Sequence, residues 1–251
     1  MLKQMQYRFG KIITQSLSWA LSLVLGGFLG MATSGAAAQQ PSDYDPWEPV
    51  NVKVYAFNDY VDRKILRPVA NGYTRYVPRL ARVGVSNFFS NINNISVLAN
   101  NLLQFKLEAA ANDTGRLMLN SSFGVFGLID IATWAGFDKN EEDFGQTLGY
   151  WGMPPGPYVV LPLFGPSTVR DSFGYATDTY TNPLNHRDDD LLRNAAFVLQ
   201  QIDRRVDAMS VETLMSGDPY IFTREAYLQQ RAYLVKDGEV ADQQSDWGNW
   251  D

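Results

Sequence analysis

Apolar residues recur along this chain at helical rather than alternating intervals. Val50, Val54, Phe57 and Val61 follow Asp45-Pro46-Trp47-Glu48. That start offers a capping aspartate, a proline at the first helical position and a glutamate placed for a capping box. Pro68 ends or interrupts this helix, and Pro78 marks a second break. The clearest helix carries Phe88, Ile92, Ile95, Ala99 and Leu102 on one face and Asn87, Asn91, Asn94 and Asn101 on the other. A third covers Glu108 to Leu119. A fourth follows Asp188-Asp189-Asp190, with Leu191, Ala195, Val198, Ile202 and Val206 on one face. A fifth opens at Asp218-Pro219 and stops at Asp237-Gly238. Tyr158 to Leu163 reads as one short strand. The pattern predicts an all-α protein.

Charge is absent from three stretches: Val83 to Phe105, Leu117 to Ile129 and Phe144 to Val169. An ordinary soluble helix places Lys and Glu on its outer face. The Phe88 helix presents amides instead, which suit close helix contact or a wet, uncharged channel wall. The third stretch is broken repeatedly by glycine and proline, and irregular backbone at membrane depth must be buried in protein or line a cavity. With 13% aromatic residues, these stretches point to a membrane-associated protein. The alternative is a soluble helical protein with an unusually well-buried centre.

The N-terminus adds a destination. Lys3, Arg8 and Lys11 precede an apolar run from Ile12 to Ala32, and Ala36-Ala37-Ala38 lies before Gln39. That order reads as an export signal over residues 1–38, a retained anchor being the alternative. Cleavage leaves 18 basic against 27 acidic residues, a net charge of −9. So acidic a chain does not suit nucleic acid. One helical domain is expected over 39–236, with an acidic tail over 237–251. Cysteine is absent, which excludes thiol catalysis, zinc–thiolate sites and a lipid-modified cysteine.

The residues offer no reaction centre. His186 is the one histidine; it falls in a polar turn, without a nucleophile elbow to serve. Asp188 to Asp190 reads as a helix cap rather than a cation site. Gly124-Val125-Phe126-Gly127 lacks the third glycine of a nucleotide loop. Glu141, Glu142 and Asp143 show no opposed-carboxylate spacing. No catalytic residue, cofactor or metal is expected.

An ordered set of motifs nevertheless stands out. It comprises Asp45-Pro46-Trp47-Glu48-Pro49-Val50-Asn51 with Phe57-Asn58, Arg67-Pro68-Val69-Ala70, Tyr76-Val77-Pro78, and Gly84-Val85-Ser86-Asn87-Phe88. Asn120-Ser121 with Gly124, Gly127 and Asp130 comes next. Glu142-Asp143-Phe144-Gly145-Gln146-Thr147-Leu148-Gly149 and Gly156-Pro157-Tyr158 through Arg170-Asp171 are the most specific, followed by Asp218-Pro219-Tyr220 and Arg224-Glu225-Ala226-Tyr227. In these motifs, over roughly Asp43 to Tyr233, the chain resembles the VacJ/MlaA family of outer-membrane phospholipid-binding lipoproteins.

The resemblance implies a ring-like bundle of amphipathic helices held in the outer membrane around a channel. It implies removal of misplaced phospholipids from the outer leaflet and their transfer to a soluble periplasmic carrier. A trimeric porin is the expected companion, and maintained lipid asymmetry the result. The Gly/Pro-rich stretch from Gly145 to Pro166 is then the candidate wall and rim. Candidate lipid-binding or channel-lining residues are Phe57, Asn58, Phe123, Phe126, Tyr150, Trp151, Tyr158, Leu161, Leu163 and Phe164. One departure stands against the family pattern: the family's lipobox cysteine is missing, and the site reads Ala36-Ala37-Ala38-Gln39. The function of a different class left open is a secreted, soluble lipid-binding or scaffolding module.

Overall fold

A computed structural model describes residues 45–186, 188–212 and 217–238; the expected signal segment and the tail beyond Gly238 lie outside the described residues. In chain order the elements are α1 (Glu48–Val61), a π-helical turn (Asp62–Leu66), α2 (Arg67–Tyr76), α3 (Arg79–Leu103), α4 (Leu107–Ser122), α5 (Ile131–Trp134) and α6 (Phe144–Tyr150). Then follow β1 (Tyr158–Leu161), β2 (Gly165–Thr168), α7 (Val169–Thr181), a 3-10 turn (Pro183–His186), α8 (Asp190–Val211) and α9 (Pro219–Val235). The fold is mainly helical, as the periodicity predicts.

Local chemistry sets most boundaries. Asp189 caps α8 by accepting from the Leu191 and Leu192 amides, and Asp218 caps α9 through Tyr220 and Ile221. Pro68 interrupts nothing downstream, because it falls in the first turn of α2, where a missing N–H is harmless. The structure corrects the expected start of α1. The helix begins at Glu48, and the Asp45 carboxylate caps nothing. It is fully buried and committed to distant partners instead: it accepts from Asn51 Nδ2 (2.7 Å), Arg224 Nη1 (3.2 Å) and Tyr220 Oη.

The Gly/Pro-rich stretch is more regular than its composition suggests. Asp143 caps α6 through the Gln146 amide (2.8 Å), a helix that periodicity alone did not reveal. β1 and β2 form an antiparallel hairpin pairing Tyr158 with Thr168 and Leu161 with Gly165. Asn51 fastens this hairpin to α1, donating to Tyr158 O (3.0 Å) and accepting from Val160 N (2.9 Å). Asn58 does the same two turns further along the same face, donating to Leu161 O and accepting from Leu163 N.

Helix α3 is the hub, packed on α4, α6 and α8; α9 closes over α6 and β2. A small apolar cluster joins Tyr158, Val160 and Tyr220, with Tyr55 and Tyr227 against it. Most other buried side chains are polar. Asp113, fully buried, accepts from Asn101 (2.7 Å) and Asn140 (3.0 Å). Gln104 donates to Glu142 (2.8 Å) and Thr147 (3.0 Å). The exterior is the reverse: Leu80, Phe105, Phe126 and Trp134 are each more than three-quarters exposed. Among the described residues, no helix is long and apolar enough to cross a membrane.

Candidate functional site

The polar interior opens into a cavity of about 570 Å³. One wall is the asparagine face of α3, with Asn87, Asn91 and Asn94. The opposite wall comes from Tyr175, Asp178 and Thr179 of α7 and from Arg193, Gln200, Asp203 and Arg204 of α8. The amide stripe that the sequence offers either to helix contact or to a wet wall serves both. Asn94 donates to the Asp113 carbonyl (2.8 Å) and Asn91 to Ser121 Oγ (3.1 Å), which fixes α3 to α4 while both residues border the cavity.

The wall is held rigidly at its charged corners. Arg116, almost wholly buried, donates to both Asp130 oxygens (3.1 Å each) and to Phe137 O (2.6 Å). Burial opposes ionisation of Asp130, yet hydrogen bonds from Thr133 and Asn120 and the Arg116 charge hold its carboxyl below the usual range. Asp178 gathers three elements: it accepts from Ser96 Oγ (2.6 Å) and Asn100 Nδ2 (3.1 Å) of α3 and from the Phe144 amide (2.9 Å) that opens α6. Burial pushes its pKa up, because these donors are all neutral. Asp203 is shifted upward as well, by burial and by Asp207 one helical turn away.

None of the residues proposed from sequence as lipid-binding or channel-lining belongs to the lining of this cavity. Phe57, Phe123, Phe126, Tyr150, Trp151 and Leu163 are exposed on the outside. Trp151 Nε1 donates to Leu103 O (3.2 Å). Tyr158 is fully buried in the aromatic cluster beside Tyr220 and Tyr227. Asn58 holds the hairpin, and Leu161 is half-buried in it. Phe164 comes nearest the cavity, stacking on two of its lining residues, Tyr175 and Phe197. Of the Gly/Pro-rich stretch only Gln146 lines the large cavity. Leu148 and Met153 to Gly156 border a separate cleft of about 340 Å³, whose other wall includes Val169 and Phe173.

Sequence reasoning missed the α7 and α8 residues of the lining. The signal was present in α8: Arg193, Phe197, Gln200, Arg204 and Asp207 recur at helical spacing opposite the apolar face. Apolar periodicity picks out only the other face, of which Leu191 and Val198 are exposed.

The family model for the MlaA lipoprotein matches residues 43–234. The chain belongs to the MlaA lipoprotein family. It is 35% identical over 232 residues to the Escherichia coli intermembrane phospholipid transport system lipoprotein MlaA, covering 90% of this chain and 91% of that one. A Haemophilus influenzae protein of the same name is 29% identical over 238 residues, with 92% and 93% covered. A solved structure, described under "Structural basis for maintenance of bacterial outer membrane lipid asymmetry", superposes with a TM-score of 0.68 at 36% identity, covering 76% of this chain and 98% of that one. As an MlaA family member the chain differs from the lipoprotein designation in one respect: no cysteine occurs in its 251 residues.

Proposed function

We propose that this protein is an outer-membrane component of phospholipid transport, removing misplaced lipids from the outer leaflet to keep the membrane asymmetric. One observation carries the reading: the chain is polar inside and apolar outside. Soluble monomers rarely expose contiguous apolar patches beyond a few hundred Å², and here aromatic and aliphatic side chains cover the outside of α3, α4 and the 123–129 loop. A ring of helices set in the bilayer explains this inversion. Its exterior meets acyl chains, and its amide-lined cavity offers headgroups a wet path.

The names of its relatives support transport rather than catalysis, and the reading therefore includes no covalent step. A soluble periplasmic carrier receives the lipid and a trimeric porin stands beside the ring. Without a cysteine, attachment rests on the apolar exterior and on that companion.

Membrane fractionation of the native chain, with an outer-leaflet phospholipid assay in cells lacking it, tests the reading. Recovery with the outer membrane, release only by detergent, and phospholipid accumulating in the outer leaflet of the deletion strain are expected. Recovery as a free periplasmic protein would replace it with a soluble lipid-binding or scaffolding module.

A further inference from the structure

We infer that the cavity selects phospholipids by headgroup charge, favouring those with a cationic amine over anionic ones; this rests on the transport reading above. Among the described residues lining it are seven carboxylates and four cations. Several of these are spoken for: Asp130 pairs with Arg116, Glu142 with Lys106, and Asp143 with Arg231. Asp178 and Asp203 stand apart. Among the described residues, no cation lies within ion-pair distance of either. Asp178 accepts only from neutral groups on α3 and α6. Asp203, nine-tenths buried, has Ser86 as its hydrogen-bond donor, with Arg82 and Arg204 acting on it only at longer range.

A carboxylate without a cation is costly to bury, and a like-charged neighbour one turn along a helix adds to the cost. Asp203 and Asp207 are such neighbours on α8, and both line the cavity. A visiting ammonium group relieves both costs. The cavity also places Tyr175 one turn before Asp178, a ring face that favours a cation. Lys139 and Arg204 lie on the same lining and suit the phosphate that every phospholipid carries. A zwitterionic headgroup therefore finds a partner for each of its charges. An anionic headgroup presents its phosphate alone to a lining in net acidic excess.

The test uses full-length protein reconstituted in bilayers of equal phosphatidylethanolamine and phosphatidylglycerol. Lipids retained after mild solubilisation are counted by mass. The ethanolamine lipid is expected in about fivefold excess, the effect of one close ion contact in water-like surroundings. Asp178→Asn combined with Asp203→Asn should bring the ratio near unity. Because Asp178 also ties helices together, Gln200→Lys offers a second route: it adds a cation to the same wall and should shift the ratio toward the glycerol lipid. Equal retention by the wild type, or a ratio unmoved by these variants, overturns charge selection while leaving transport standing. Retention of neither lipid overturns both.

Discussion

Asp45 illustrates how single residues hold this protein together. Its carboxylate is fully buried and meets Tyr220 and Arg224, far away in sequence, along with nearby Asn51. Arg224 is itself buried and reaches Glu48 and Glu225 as well. Removing one member of a buried pair leaves an uncompensated charge, at a cost of about 3–5 kcal/mol. Arg224→Ala should therefore destabilise by about that amount, read from urea or thermal melts in detergent. A second residue answers to pH. Burial opposes ionisation of Asp171, but Arg231 and Arg170 and a hydrogen bond from Tyr227 hold its carboxyl below the usual range. Its folded pKa thus lies under the unfolded value of about 3.9. The stability it contributes is present above that value and is lost as pH falls through the folded one. Melting temperatures followed from neutral pH down to about 3 should show this acid limb, and Asp171→Asn should flatten it.

At the scale of elements, periodicity identified helices and left open which of their faces turns inward. The asparagine face of α3 packs on α4 and borders the cavity, while Ile95 and Leu102 face outward. Burial of apolar surface from water sets the usual inward direction; in the embedded arrangement proposed above, that drive would vanish beside lipid tails and hydrogen bonding between amides would decide instead. The 123–129 loop makes the same point. Val125 and Phe126 adopt positive φ values of 53° and 58°, and the Gly127 amide bonds Asn120 O at 2.8 Å. A Cβ on Gly127 would come within 2.6 Å of the Asn91 side chain, so glycine is required where this loop meets the cavity wall. The winding turns Phe123 and Phe126 outward. Replacing both by Asp should leave folding nearly unchanged, since they are exposed and Asp tolerates left-handed backbone. Each buried carboxylate costs about 2.5–3.5 kcal/mol in a bilayer, so the variant should partition markedly toward the soluble fraction. An unaltered distribution would show that this loop does not meet lipid.

For the whole molecule, the class of fold and its family were legible because both reside in local signals: caps at Asp189 and Asp218, breaks at Pro78, and an ordered set of short motifs. The cavity was not. Its lining draws one wall from α3 and the other from α7 and α8, and no sequence interval records that meeting. The aromatic residues chosen for their amphipathic rings lie away from its lining, Phe57 exposed and Tyr158 fully buried. Polar residues such as Asp178 and Asp203 attracted no notice, since charged side chains usually face solvent. The hairpin of Tyr158–Thr168 was half visible, because glycine and proline obscured the return strand.

The distance along the chain between Asp45 and its partners on α9 has a consequence for biogenesis. A polypeptide that emerges from a translocon N-terminus first presents its Asp-Pro-Trp segment long before Tyr220 and Arg224 arrive. Until then the carboxylate has no arginine to neutralise it, although the hairpin to which Asn51 and Asn58 fasten α1 is already made. Outward-facing aromatics on the intervening helices are meanwhile exposed to water. Final closure around Asp45 is thus deferred until the last helix is available. Truncation before α9 would prolong that vulnerable interval indefinitely.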